Sequence, residues 1–591
     1  MTKLTKEQIA TRVEKVLRQM SLEQRVGQCF TYLWSGYLIT PSVIDAIEKL
    51  HCGNLRLQPA FVAGKRFKYY NFDTAAGRFN YPRGYVPAAE NLLLPGCMGE
   101  IGPQRYAEAL NRLQEIAARR PGGVPLNMAI DQEGDLSRNY CFGGINLLPS
   151  PLGMAASQDP KFIRAAYRAM ARQLRAIGIT CVQSPVVDVN IDPRNPEIGA
   201  RSFGDDPQQV AQFALAAMQG MQDGGVITTA KHFPGRGDSS SDAHFGTPQL
   251  DVPRSRLDAV ELVPYRTLIR NGLDSIMIAH NVYTALDRGV IATVSKKILR
   301  GLLRDELGFE GVITTDAIAM QALMRQYPLP EACARALEAG VDMVLNKTET
   351  AYRDQGYLTA LRFVQEGRIS EDDLNAKVRR ILTMKMRRGL FENRAQVDAK
   401  QADAPIREKA VINLCREAGE RAALVMTGRR RALPLSPKQR IVVIEQKLED
   451  VFLGLNPTHH RLSLTEAILQ HTRNVLPVDT RFAATKEDQD FILPLIRKGD
   501  VVVATNHILR SEGNNREIIR KILRKGARVI LVTNTIYAAG FVPGVEAVIC
   551  TFADTPAGMQ LAAKILFGRA KPRGKWPLRH YPVPKGMKLV R

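Results

Sequence analysis

Gly225-Val226-Ile227-Thr228-Thr229-Ala230 runs without a break into Lys231-His232-Phe233-Pro234-Gly235-Arg236-Gly237-Asp238-Ser239-Ser240-Ser241-Asp242-Ala243-His244. The first six residues are mostly apolar or β-branched and the rest mostly small, polar or charged, so the junction reads as a strand delivering a polar loop. The arrangement recurs on both sides of it. Leu126 to Ile130 ends at Asp131-Gln132-Glu133, Ile179 to Val187 at Asp188-Val189-Asn190, Ser275 to Ala279 at His280-Asn281, Gly311 to Thr315 at Asp316, and Val341 to Leu345 at Asn346-Lys347. Amphipathic stretches such as Pro160 to Ile177 and Pro207 to Gly224 separate them. Strands alternating with helices predict a parallel sheet of βα units. Chemistry-bearing residues at the carboxyl ends of successive strands narrow this to an α/β fold with a (β/α)8 TIM-type barrel and a site on its C-terminal face.

The pattern restarts after a charged, Ala-rich stretch from Glu392 to Arg407. Arg440 to Ile444, Asp500 to Thr505, Arg528 to Thr533 and Ala547 to Thr551 read as about four short strands of a smaller α/β sandwich, with Arg516 to Lys525 as one of its helices. The expected division is a barrel over residues 1–395, a linker over 396–415 and the sandwich domain over 416–591. A chain of 591 residues exceeds the ~250 to 300 at which single cores stop growing. No Gly-rich phosphate fingerprint follows the first strand of the second domain, so no nucleotide site is expected there.

Composition is that of an ordinary globular protein, 45% hydrophobic and 24% charged. No stretch approaches the ~20 apolar residues of a membrane span, and Met1 to Glu7 has no apolar region after its lysines. The expectation is a cytoplasmic protein, or a secreted one whose leader is absent from this sequence. The eight cysteines have no Cys-x-x-Cys spacing, which argues against a zinc ribbon or a redox motif and for buried, reduced thiols. The net charge is +23, and from Gln401 onward there are 32 Lys and Arg against 17 Asp and Glu. A basic surface attracts anionic polymers. Without a nucleic-acid motif beside it, the charge reads first as a solubilising surface, nucleic acid is not an expected partner, and an anionic glycan is the alternative.

Within the opening loop, Asp242 and His244 stand two apart, close enough for the carboxylate to orient the imidazole and raise its basicity for proton transfer near neutral pH. A solvated surface loop is the competing reading. A stretch from Leu55 to Arg105, rich in Gly, Pro and aromatic residues, reads as a long irregular loop that is either a lid, the favoured reading because aromatic rings stack on sugars, or poorly ordered.

The loop from Lys231 to His244 resembles the signature loop of the bacterial β-N-acetylglucosaminidases of glycoside hydrolase family 3, Lys-His-(Phe/Ile)-Pro-Gly-x-Gly, a short polar run, then Asp-Ser-His. Only the central Ser differs, replaced here by Ala243. The resemblance implies that Asp242 and His244 form the general acid/base pair. It also implies a nucleophile: Leu307 to Asp316 fits the family's Gly-(Phe/Ile)-x-Gly-(Val/Leu)-(Ile/Val)-x-(Ser/Thr)-Asp, whose last residue attacks the sugar. An Asp capping the next helix is the ordinary alternative for Asp316. Asp131, Arg201, Lys231 and His232 match the family's sugar contacts, and His280 fits its preceding strand and is expected near the sugar. A plain salt bridge for Arg201 and a buried, satisfied ring for His232 compete with those roles. The similarity reaches from Met20-Ser21-Leu22-Glu23-Gln24-Arg25-Val26-Gly27-Gln28 to Leu566 to Pro577.

The implied activity is a retaining exo-β-N-acetylglucosaminidase acting on small glycan substrates such as cell-wall fragments, with no metal or organic cofactor. Phosphorolysis on the same site, a family 3 β-glycosidase of altered specificity, and a glycan-binding protein that has lost activity are the alternatives. Every catalytic position is filled, which argues against the last. One departure stands out: Asp131-Gln132-Glu133-Gly134-Asp135-Leu136-Ser137-Arg138 lacks the second Gly of the family's Asp-x-Glu-Gly-Gly.

Overall fold

All seven residues of Ile227–Phe233 are buried, as expected of a parallel strand covered on both faces. In the computed structural model it is the fifth of eight strands: β1 (Phe30–Ser35), β2 (Asn54–Gln58), β3 (Asn127–Ile130), β4 (Cys181–Val182), β5 (Ile227–Phe233), β6 (Ser275–Ile278), β7 (Val312–Ala317) and β8 (Met343–Asn346). Each pairs in parallel with its neighbour in sequence, and β8 pairs with β1, so the barrel closes. The structure describes residues 4–59, 72–73, 78–79, 102–134, 137–239, 241, 246–348, 351–428, 432–446, 463–508 and 514–590.

Helix boundaries follow local signals. Helix α1 (Pro160–Ile177) starts where Asp159 accepts the Phe162 N–H with proline at the first helical position, and stops at Gly178, whose φ of 102° is open to glycine. Helix α2 (Pro207–Asp223) repeats the Asp-Pro start at Asp206-Pro207.

Three expectations change. The stretch Ile179 to Val187 is strand only at Cys181–Val182, with an isolated bridge from Val186 to Lys231. Pro185 has no N–H to give to a ladder. The irregular stretch from Leu55 to Arg105 does not begin at Leu55: residues to Gln58 belong to β2, and Pro103 opens a helix, Pro103–Ala118. Residues 60–71, 74–77 and 80–101, on which the lid reading rests, lie outside those described. Among the described residues the second sheet has seven strands instead of about four: β9 (Leu424–Thr427), β10 (Ile441–Gln446), β11 (Val475–Thr480), β12 (Val501–Thr505), β13 (Arg528–Thr533), β14 (Ala547–Cys550) and β15 (Lys588–Leu589), in the order β11-β10-β12-β13-β14-β9-β15. Only β9 runs against its neighbours.

Helix α3 (Lys409–Ala422) leads into β9. The second sheet's tail rests on the loop after β4, where the Asp205 carboxylate accepts the backbone N–H groups of Arg579, His580 and Tyr581. Gln209 Nε2 donates to Pro577 O at 2.6 Å. Among the described residues no helix is long and apolar enough to cross a membrane. The seven described cysteines are buried free thiols.

Candidate active site

Two irregularities in the barrel ladder sit where the chemistry is expected. Between β5 and β6, Lys231 pairs with Met277 and Phe233 with Ile278, which leaves His232 as an extra residue on β5. Between β7 and β8, Thr314 pairs with Met343 and Ala317 with Leu345, again one residue too many on β7, beside Asp316. An extra residue breaks the strict alternation of side chains and re-aims one of them. The bulges therefore let Lys231, His232 and Asp316 serve the same C-terminal face.

Asp131, at the end of β3, receives Arg56 Nη2 from β2 on one oxygen and Lys231 Nζ at 2.9 Å on the other. Lys231 Nζ also reaches Glu133 Oε1 at 2.6 Å, and Arg201 grips Glu133 with two nearly parallel hydrogen bonds of 2.8 and 2.9 Å. Glu133, Arg201 and Lys231 are buried, while the Asp131 side chain keeps 21% of its surface, so Asp131 is the member open to a ligand. Burial works against both carboxylates, but Arg56, Lys231 and Lys347 hold Asp131 well below the usual range, and Arg201 and Lys231 pull Glu133 down to about 2.

This network predicts a stability effect. Glu133→Gln leaves Arg201 and Lys231 short of a counter-charge in a dry interior and is expected to destabilise the fold by about 3–5 kcal/mol at pH 7. Because the folded carboxyl titrates at about 2 instead of 4.5, the charged form contributes stability above about 4.5 and loses it as pH falls towards 2. Urea unfolding of both proteins at pH 7 and pH 3 checks this: the gap between them should shrink at the lower pH, and a constant gap is the contrary result.

A second cluster lies behind the first. Asp188, after β4, is fully buried and accepts the His232 and Arg236 backbone N–H groups at 3.2 and 2.8 Å, with His232 Nδ1 at 2.8 Å. Burial pushes its carboxyl up to about 6, against the pull of Arg236. The other edge of the His232 ring faces Asp316, Nε2 to Oδ2 at 4.0 Å. Arg236 Nη2 stands 2.8 Å from Glu197 Oε1 and 3.6 Å from the same Asp316 oxygen. Asp316 Oδ1 accepts the Ala317 N–H at 2.7 Å. One Asp316 oxygen is thus fixed to the backbone and the other faces two nitrogen donors. The loop carrying Arg236 packs closely on the segment after β4: a Cβ on Gly237 would lie 1.7 Å from Val189 O, so only glycine fits.

Of the residues singled out by sequence, Asp131, Arg201, Lys231, His232 and Asp316 are brought together through these contacts. Arg201 and His232 are also the ion-paired and buried groups of the ordinary readings. His280 is fully buried, with Nδ1 2.6 Å from Thr293 Oγ1 and Nε2 3.0 Å from Ala317 O, so it braces the backbone next to Asp316. Asp242 and His244 lie outside the described residues. Sequence reasoning gave no role to Arg56, Glu133, Asp188, Glu197 or Arg236. Their signal was charge balance, since buried carboxylates need cations within reach, and most of these residues stand in the strand-end segments already singled out.

A cavity of about 310 Å³ opens between residues 193–201 and the loops of the second sheet, where Asn514, Arg516, Thr535 and Tyr537 line it opposite Glu197 and Arg201.

Residues 92–384 match the glycosyl hydrolase family 3 N-terminal domain and residues 424–588 its C-terminal domain. A structure of a glycoside hydrolase family 3 β-N-acetylglucosaminidase from Paenibacillus sp. str. FPU-7 superposes with a TM-score of 0.79 at 26% identity, over 95% of this chain and 99% of that one. A β-hexosaminidase from Nitrosomonas eutropha is 34% identical over 269 residues, 44% of this chain and 76% of that protein. β-Hexosaminidase A from Pseudoalteromonas piscicida is 30% identical over 296 residues, 46% of this chain and only half of that protein's length.

Proposed function

Because this chain belongs to glycoside hydrolase family 3, we propose that it is a retaining exo-β-N-acetylglucosaminidase that removes terminal β-GlcNAc from short glycans or cell-wall fragments. The observation that carries the proposal is the setting of Asp316: a strand-end carboxylate with one oxygen anchored and the other turned towards His232 and Arg236, in the same strand-end cluster as Asp131 and Lys231. The likeness to the Paenibacillus enzyme over nearly the whole chain supports the choice of sugar.

In this reading Asp316 Oδ2 attacks the anomeric carbon as the bond to the leaving oxygen breaks, and His244, oriented by Asp242, gives that oxygen its proton. Water then attacks the same carbon, His244 takes the water's proton, and the ester to Asp316 breaks; two inversions give retention. Asp131, with both oxygens already steered by cations, accepts protons from sugar hydroxyls, while Lys231 and Arg201 fix that carboxylate and its neighbour Glu133. His232 spaces Asp188 from Asp316, and His280 positions the backbone of Ala317.

Nitrophenol release from the β-N-acetylglucosaminide and the β-glucoside, measured side by side, tests the sugar. The first should be cleaved with a kcat/KM at least about tenfold higher, the scale of 1.4 kcal/mol in transition-state binding. Equal cleavage, or preference for the glucoside, overturns the N-acetyl assignment and leaves a β-glycosidase of other specificity.

A further inference from the structure

Arg236 is one of the largest fully buried side chains in the molecule, 2% exposed, yet it is poorly used for holding the fold together. Its Nε and Nη1 are buried without a hydrogen-bond partner, and its side-chain ion pairs both run through Nη2, to Glu197 Oε1 at 2.8 Å and Asp316 Oδ2 at 3.6 Å. A buried guanidinium so sparsely satisfied is weak as a stabilising device, because desolvation opposes the attraction it gains. Its placement is nevertheless closely defined. The Arg236 N–H bonds Asp188, Asn195 Nδ2 donates to both Arg236 O and Gly237 O, and Tyr283 Oη donates to Gly235 O. Three residues on two neighbouring segments therefore aim one cation at one oxygen of the carboxylate assigned to attack.

We propose that Arg236 is a positioning residue for Asp316, and that Glu197 sets how strongly it acts by competing for the same Nη2. The inference rests on the functional reading above and deepens it. Asp316 faces His232 and Arg236 from the β5 side, and Arg236 in turn faces Glu197, Asp188 and Arg201 from the segment between β4 and β5. A cation beside a carboxylate favours its charged, attacking form, but a tight pair also holds back the electrons that must form the new bond to carbon. Sharing Nη2 with Glu197 at the shorter distance keeps Arg236 near Asp316 without closing the pair.

Two substitutions should therefore move the same quantity in opposite directions. In Arg236→Met the acid limb of kcat/KM against pH should shift upward by about 1–3 pH units, the range for loss of one nearby opposite charge, and kcat at pH 6 should fall more than KM rises. In Glu197→Gln, Arg236 loses its competitor and closes on Asp316, so the acid limb should shift downward while labelling of Asp316 by a 2-fluoro sugar slows. Arg236→Lys restores the charge and should bring the limb back towards its wild-type position, and it serves as the test where Arg236→Met does not fold.

Melting temperature and circular dichroism confirm that each variant is folded. A purely structural role for the pair predicts lower melting temperatures with an unmoved acid limb, which would overturn the proposal, as would shifts in the same direction for both charge removals. A wild-type protein that cleaves neither glycoside rejects the functional reading and this inference with it. An active wild type with unmoved limbs rejects this inference alone.

Discussion

Asp316→Ala is expected to lower kcat on an aryl β-N-acetylglucosaminide by about ten-thousand-fold or more, the scale seen when a covalent nucleophile is removed from a preorganised site. The size follows from the mechanism: without the carboxylate no glycosyl ester forms, and what remains is a bound sugar waiting for an unassisted attack by water. The fold should survive, because the substitution removes a charged side chain that is only 14% exposed and whose burial is itself costly. Azide gives the result its direction. A small anion entering the space left by the side chain attacks from the face Asp316 occupied, so a β-glycoside should yield the α-azide in the variant, while the wild type continues to release β-sugar. The wild type treated with a 2-fluoro sugar should carry the label on the peptide containing Asp316. A label elsewhere, or residual activity above about one part in a hundred, removes Asp316 from the role.

How much of this was legible in the sequence depended on whether a residue's environment was local. Helix α1 was readable to the residue because its start and stop are local signals, Asp159-Pro160 and Gly178. β1 and β2 were not read as strands: Phe-Thr-Tyr-Leu-Trp-Ser and Asn-Leu-Arg-Leu-Gln carry aromatic or polar residues in place of a β-branched run, and the barrel satisfies the buried polar ones from elsewhere, Arg56 by the Asp131 carboxylate and Asn54 by the carbonyls of Gln28 and Phe30. The same logic separates the parts of the site. Asp131, Lys231, His232 and Asp316 stand at strand ends, and position alone marks them. The roles of Glu133, Asp188, Glu197 and Arg236 exist only as pairs, and pairing between residues 39 to 98 positions apart cannot be seen in a one-dimensional pattern. The bulges at His232 and beside Asp316 are properties of the ladder against β6 and β8, and they decide what an alternation count would get wrong by one residue. Nothing local to His280 says that Thr293 and Ala317 meet its two ring nitrogens.

His244→Ala is expected to separate substrates by their leaving groups. A general acid contributes about a hundred- to ten-thousand-fold, and it does so only where the departing oxygen needs a proton. For a glycan substrate whose leaving group is a sugar hydroxyl, kcat/KM should therefore fall by that range. For a dinitrophenyl glycoside, whose leaving oxygen is stable as an anion, kcat/KM should stay within a few-fold of wild type. The second half of the reaction still needs a base to draw a proton from water, so kcat for the activated substrate should drop, with the glycosyl-enzyme accumulating and azide restoring turnover by attacking without a proton to lose. Asp242→Asn should act more mildly and visibly in pH. A carboxylate beside an imidazole favours the imidazolium, so its removal lowers the pKa of the acid and should move the basic limb of kcat/KM to lower pH. Equal losses on the sugar and dinitrophenyl leaving groups in His244→Ala would mean that the proton reaches the leaving oxygen from another residue. The loops that line the cavity opposite Glu197 and Arg201 would then be where to search, since they share that cavity with two charged residues of the site.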